Sequence, residues 1–508
     1  MPNITIIAQY GSDTIVKDAV SGLSFLSSLF LGVVGLFFLT IIIVFIIDKT
    51  QTKDSVRHNY PVLGRFRSIF TSLGEFFRQY FFAMDREEMP FNRAERDWVN
   101  HVADEGSDVV PFGSTKVLSP GTPIFANGLF PKLDSEEKPH APLVIGPDTP
   151  HPYQPTSFFN ISAMSYGSLS RPAIEALSLG ASMAGCWLNT GEGGLSPFHK
   201  SGNCHIIFQL GTAKFGVRNP DATLNEEKLK KVCENPNVKM IEIKLSQGAK
   251  PGKGGILPGS KVTEEIAEIR GIPVGESALS PNRHVEASNV HELLDLIDKV
   301  RRTSGRPTGI KFVVGNITPI EDLFDEIVKR GPQSAPDFIT VDSGDGGTGA
   351  APLPLIDNMG LTIRESLPLI DDLLREKGLR DRVKLIASGK LITPADVALA
   401  FCAGTDLVNA ARGFMFALGC IQALKCDKNT CPTGITTHNK RLQDGLDPAN
   451  KSVRVMNYVK SMQKEVGIIA HSCGVDHPRD LGREHLLIIQ PSGRSKPFDQ
   501  VWDRSRYA

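Results

Sequence analysis

Gly404-Thr-Asp-Leu-Val-Asn-Ala-Ala-Arg-Gly-Phe-Met-Phe-Ala-Leu-Gly-Cys-Ile-Gln-Ala-Leu-Lys-Cys-Asp-Lys-Asn-Thr-Cys-Pro-Thr-Gly434 passes in one run from a short apolar strand to a helix and on to three cysteines. The strand is read at Asp406–Asn409 and the helix at Phe414–Leu424. Between them Ala411-Arg412-Gly413 offers backbone N–H groups and a guanidinium suited to a phosphate. Cys420, Cys426 and Cys431 follow in a C-x5-C-x4-C pattern with Pro432 after the last, close enough for three thiolates to hold one metal cluster. The polar run Asp427 to Thr430 argues against a core segment with cysteines at chance spacing. Three local ligands point to a 3Fe-4S cluster; a 4Fe-4S cluster requires Cys402 or Cys473 to come close, and zinc also requires a fourth ligand.

Upstream, the same strand-then-helix alternation recurs. Strands are predicted at Phe158–Ala163, Cys186–Asn189, His205–Gln209, Met240–Lys244, Gly309–Val313, Asp337–Val341 and Lys384–Ala387, before the one at Asp406–Asn409. Eight helices are predicted among them, at Arg171–Met183, Asn225–Val232, Lys261–Ile269, Val290–Arg301, Ile320–Arg330, Leu361–Arg375, Pro394–Cys402 and, after the last strand, Phe414–Leu424. Eight such strands imply an α/β fold of the parallel (β/α)8 TIM-barrel kind, with function at the carboxyl ends of the strands.

The chain of 508 residues is long enough for such a core, and 56 basic against 56 acidic residues give no charge excess to suggest nucleic acid as a partner. Its eight cysteines, three of them bunched, do not read as a disulfide framework, which suits a reducing compartment. Val20–Ile47 carries no charge over 28 residues, enough to cross a bilayer as a helix. Lys49, Lys53, Arg57, Arg65 and Arg67 follow it and only Lys17 precedes it, placing the bulk of the chain on the cytoplasmic side. Expected boundaries are an extracytoplasmic N-terminus at 1–19, a transmembrane helix at 20–47, and a juxtamembrane helical and irregular region at 48–155. The barrel with its cysteine loop follows at 156–440, and a helical extension and tail at 441–508. Within the juxtamembrane region Phe70, Phe76, Phe77, Phe81 and Phe82 lie at helical spacing and are expected to pack on the next domain, with a membrane surface as the alternative.

Three glycine-bearing loops follow the last strands: Asp342-Ser-Gly-Asp-Gly-Gly-Thr-Gly-Ala350, Ser388-Gly-Lys390 and Ala411-Arg-Gly413. Together they read as a phosphate site. Lys311, inside an apolar strand, either reaches the barrel mouth or pairs with a buried acid. Lys244, Gln247 and Lys250 are regularly spaced in a Gly- and Lys-rich loop that reads as an anion clamp, and Glu192 adds an acid to the same rim.

Met164-Ser-Tyr-Gly-Ser-Leu-Ser170, Asn189-Thr-Gly-Glu-Gly-Gly194, Gln247-Gly-Ala-Lys-Pro-Gly252, Gly344-Asp-Gly-Gly-Thr-Gly349 and the cysteine trio resemble the synthase domain of glutamate synthase, from about Phe158 to His438. The resemblance implies a barrel holding FMN and a 3Fe-4S cluster that reduces 2-iminoglutarate, made from 2-oxoglutarate and ammonia, to glutamate. It places Ser165, Gly167, Gln247, Lys311, Gly346, Gly347 and Gly389 at the flavin, to which local chemistry adds Arg412, and Cys420, Cys426 and Cys431 at the cluster. It places Glu192, Lys250 and Arg270 around 2-oxoglutarate, and Lys244, Lys311 and Glu192 at the reacting centre. Two features depart from it: Ile256 stands where the family usually has Gln, and Leu279–His284 differs from the family's Pro- and His-rich run. With no N-terminal cysteine nucleophile and no G-x-G-x-x-G after a strand, ammonia is expected free or from a separate ammonia-supplying subunit, and electrons from an external electron-donor protein. The alternatives are a flavin-bound transferase acting on glutamate and an amine, and a membrane-tethered electron-transfer subunit.

Overall fold

A computed structural model describes residues 3–106, 109–136 and 140–507. The chain divides into two compact units, Met1–Arg93 and Ala94–Ala508. In the first, helix α1 (Asn3–Thr50) is longer than the apolar run, and its segment Ala19–Thr50 is long and apolar enough to cross a membrane. The first two residues of the expected 1–19 segment, and its side chains through residue 18, Lys17 among them, lie outside the described residues. Asp48 closes the turn after α1, accepting from Arg65 Nη2 at 2.8 Å and from the Val62 N–H at 3.0 Å. Helix α2 (Leu63–Phe77) runs into a π-helical turn, Arg78–Phe82. Within this unit Phe70, Phe76, Phe77, Phe81 and Phe82 are exposed; Phe70 meets the Phe66 ring, and Phe76, Phe77, Phe81 and Phe82 touch one another along the helix.

The second unit is built on eight parallel strands: β1 (Phe159–Ile161), β2 (Trp187–Asn189), β3 (His205–Leu210), β4 (Val238–Lys244), β5 (Thr308–Phe312), β6 (Phe338–Asp342), β7 (Lys384–Ser388) and β8 (Leu407–Ala410). They pair in sequence order and close into a barrel through β8 and β1, as the alternation predicts. Their side chains are almost all buried, because helices cover the outer face and side chains fill the lumen. The lumen is polar. Glu242 accepts from Gln209 Nε2 at 2.6 Å, Thr340 Oγ1 at 2.6 Å and Asn189 Nδ2 at 2.9 Å, while Trp187 Nε1 donates to Asn409 at 3.1 Å. A buried acid so surrounded has its lone pairs satisfied and locks the strand register.

Helix α3 (Arg171–Ala184) packs on helix α4 (Pro448–Ser472) so closely that a Cβ at Gly180 would lie 2.5 Å from that of Val455. Two elements were not foreseen. One is a two-stranded ribbon, Ile256–Leu257 with Ala278–Leu279, between β4 and β5. The other is a three-stranded sheet of Pro123–Phe125, Leu486–Ile489 and Ser495–Pro497, which joins the connecting region to the tail. The helix expected at Phe414–Leu424 is shorter, Arg412–Ala417. The Cys420 N–H bonds back to Met415 O at 2.9 Å while Gly419 takes φ 98°, a left-handed stop that ends the helix before the cysteines.

Candidate active site

Strand register sets the site. Lys244 ends β4 and Lys311 stands in β5 as its Cα partner, so two ammonium groups arise side by side at the carboxyl end of the barrel. Asp342 ends β6, pairs with Ser388 of β7, and lies 3.6 Å from Lys311 Nζ. Lys311 thus meets both expectations, lining the mouth and facing an acid. Above these strand ends is a cavity of about 1390 Å3, counting its open mouth.

The phosphate-side residues converge. A Cβ at Gly389, where φ is 106°, would strike Ser343 Cβ at 2.6 Å; one at Gly347 would lie 2.8 Å from Arg412 Nε. The loops after β6, β7 and β8 therefore meet at glycines that leave no room for a side chain. Arg412 donates to Thr348 O, and Gln247 Nε2 to Thr348 Oγ1 at 2.9 Å, tying the loop after β4 to the same place. Ser165, Gln247, Lys311, Gly346, Gly347, Gly389 and Arg412 all line the cavity. Gly167 stands one layer back, its carbonyl 2.8 Å from His438 Nε2.

Opposite them Glu192 and Lys244 form an ion pair at 3.2 Å, and Gln247 Oε1 accepts a further hydrogen bond from Lys244. Burial pushes the Glu192 carboxyl up, but Lys244, Lys250 and Arg270 outweigh it and hold the acid below the usual carboxylate range. Lys250, 4 % exposed, donates to Ala350 O at 3.1 Å; burial, then the like charge of Lys244, brings its ammonium down to about 8. Arg270 ends the helix Glu264–Arg270, donates to Tyr166 O at 3.2 Å and lies over the Phe215 ring at 5.2 Å. Burial lowers it to about 10, and its Nε is buried without a hydrogen-bond partner. Gln209 Oε1 and Ser280 Oγ, also at the cavity, are buried and unpartnered too. Such orphaned groups facing a cavity fit a polar ligand.

Lys261 and Ser280 also line the cavity and carry no signal in the sequence: Lys261 meets carbonyls distant along the chain, and Ser280 is one serine in an irregular loop. The cavity is lined by seven cationic side chains (Lys244, Lys250, Lys261, Arg270, Lys311, Lys390, Arg412) against three acids (Glu192, Asp342, Asp427). The excess is four positive charges, a strong preference for anions.

The cysteine loop borders this cavity through Cys426. Cys426 and Cys431 both lie close enough to Cys420 for their charge to act on its thiol. No three His, Cys, Asp or Glu side chains among the described residues are arranged to hold a single metal ion. Burial raises the Cys420 thiol, although the Gln422 N–H donates to its sulfur at 3.4 Å. At Cys431 burial also raises the thiol, and hydrogen bonds from Thr433 and Thr436 reverse it to a net lowering. Gln422, Leu424 and Asn429 all take positive φ, so the loop is held in a costly left-handed path across the trio. Three cysteines on one loop with hydrogen-bond donors on two of the sulfurs are the donor set that an iron–sulfur cluster uses. Cys402 is charge-coupled to Cys473 and Glu484, so the two candidate fourth ligands neighbour each other.

A family model described as a conserved region in glutamate synthase matches residues 131–476. The glutamate synthase large subunit-like protein YerD of Bacillus subtilis is 38% identical over 497 residues, covering 90% of this chain and 94% of that protein. The archaeal-type glutamate synthase [NADPH] of Thermotoga maritima is 34% identical over 318 residues, 62% of this chain; the match spans 59% of that relative. Among solved structures, a flavocytochrome b2 variant with benzoylformate aligns at 14% identity and a TM-score of 0.46, covering 80% of this chain and 84% of the other.

Proposed function

The chain belongs to the glutamate synthase family, and from that premise we propose that it is an oxidoreductase reducing the imine of 2-oxoglutarate and ammonia to glutamate, with FMN and a 3Fe-4S cluster. The observation that carries this reading is the excess of four positive charges at the cavity. A phosphate monoester near −2 and a dicarboxylate at −2, each about two charges, would balance it.

The backbone of Gly346, Gly347 and Gly389 with Arg412 would hold the phosphate side of FMN, and Ser165, Gln247 and Lys311 would hold the rest, with Gly167 behind Ser165. When bound, FMN supplies hydride chemistry, and a cluster on Cys420, Cys426 and Cys431 supplies one-electron capacity. Lys250 and Arg270 grip the two carboxylates, and burial strengthens their hold. The keto group condenses with ammonia, losing water; the imine carbon then gains a hydride and its nitrogen a proton. The Lys244–Glu192 pair holds that proton beside the reacting nitrogen. Electrons come from an external donor protein and ammonia from solution or another subunit. Ala19–Thr50 anchors the chain in a membrane, with the barrel of residues 156–440 and the extension of 441–508 on the cytoplasmic side.

One observation favours a second reading. Ile256 and Leu257 present an apolar wall to the cavity, which suits a less polar amine and a flavin-bound transferase acting on glutamate. Anaerobic incubation of chemically reduced protein with 2-oxoglutarate and 15N-ammonium should yield 15N-glutamate. Its absence from protein with full flavin content would sink the first reading, and amine transfer without any reductant would favour the second.

A further inference from the structure

Lys261 is 2 % exposed and, among the described residues, has no carboxylate in ion-pair contact. Its ammonium donates instead to two backbone carbonyls, Ser168 O at 2.8 Å and Cys426 O at 3.2 Å. The first belongs to the loop after β1, next to Ser165, and the second to the cysteine loop. The preceding residue grips the same loop, since Asn429 Nδ2 donates to Ser260 O at 3.3 Å. Asn429 holds the left-handed φ of 59° and also accepts from the His438 N–H at 2.7 Å, and His438 returns to Gly167. Two stitches therefore bind the cysteine loop to the loop after β1, and only Lys261 brings a fixed charge. Burial brings its ammonium down to about 8, against the pull of Cys426, Cys431 and Asp427, which favour the charge.

Resting on the cluster reading above, we propose that Lys261 is a positioning residue that fastens the cysteine loop to the cavity wall, and that its buried ammonium raises the reduction potential of the cluster held there. Adding one electron adds one negative charge to the cluster. A cation fixed in a low-dielectric wall stabilises that reduced form more than the oxidised one, while an exposed cation is screened. Lys428, on the same loop but exposed and paired with Asp427 at 2.8 Å, is the internal control.

The test is an EPR-monitored redox titration of the purified full-length protein, with iron and sulfide assayed in each sample, for wild type, Lys261→Gln, Lys261→Arg and Lys428→Gln. The expected result is a more negative cluster midpoint in Lys261→Gln, with wild-type values in Lys261→Arg and Lys428→Gln. Loss of iron in Lys261→Gln with retention in Lys261→Arg also supports the proposal, as failure of the fastening. An unchanged midpoint in Lys261→Gln at full iron content overturns it, as do equal shifts in Lys261→Gln and Lys428→Gln. Wild-type protein without iron and sulfide would instead bring down the cluster reading itself.

Discussion

The two ends of the barrel treat buried charge in opposite ways. At the amino end each buried carboxylate is matched inside the chain. Asp337 accepts from Arg301 Nε at 3.0 Å, Arg382 Nη2 at 2.7 Å and the Thr308 N–H at 2.8 Å. Asp371 is met by Arg375 at 2.8 Å, Arg380 at 2.7 Å and Arg483 at 3.2 Å, and Arg380 reaches on to Asp406 at 2.9 Å. At the carboxyl end cations outnumber acids, and several donate only to carbonyls. Buried ions that satisfy one another hold a fold; buried ions left in excess wait for a ligand.

The largest effects should come from removing one charge at each end. Lys250→Met or Arg270→Met should lower kcat/KM by on the order of 100-fold or more, about 3 kcal/mol, while flavin content and Tm hold or rise. Equal loss of flavin would make these residues structural. Asp337→Ala should do the reverse, lowering stability by about 3–5 kcal/mol in denaturant titrations with activity per folded molecule kept, because two guanidinium groups lose their acid.

A pH series sharpens the contrast. Lys250 is depressed to about 8 from the ordinary 10.5, so the folded state holds its proton less firmly than the unfolded chain. The unfolded state therefore binds more protons between those values, and stability of the substrate-free protein should rise as pH climbs from about 8 toward 10.5. Over the same range kcat/KM should fall, since the clamp loses its charge. Lys250→Met should abolish the activity trend and weaken the stability trend, to which Lys261, also brought down to about 8 by burial, contributes the rest; a wild-type activity profile flat through pH 8 to 9 would contradict the assignment. The smallest effect belongs to the apolar wall: Ile256→Gln should tighten 2-oxoglutarate by roughly fivefold in KM, about 1 kcal/mol for one added hydrogen bond. An unchanged KM would place Ile256 away from the keto acid.

The contrast between the two ends explains what could be read beforehand. All eight strands were legible, because a strand buried on both faces must be a short apolar run, and the glycine loops marked their carboxyl ends. Glu192, Lys244, Lys250 and Lys311 stand out as charges beside such runs. Lys261 does not, because its partners are carbonyls 93 and 165 residues away and carry no side-chain signature. The ribbon at Ile256–Leu257 is two residues wide and has no period to detect. The helix after β8 looked longer than it is, because apolar spacing continues past Gly419 while left-handed backbone stops the hydrogen-bond ladder.

The most direct test is the rate at which anaerobically reduced protein is reoxidised, followed by flavin absorbance after mixing with 2-oxoglutarate, with ammonium, or with both. Rapid reoxidation only with both, lost in Lys250→Met, is the predicted result. Reoxidation by neither alone nor together, in protein with full flavin content, would show that the excess of positive charge at the carboxyl end serves some other anion.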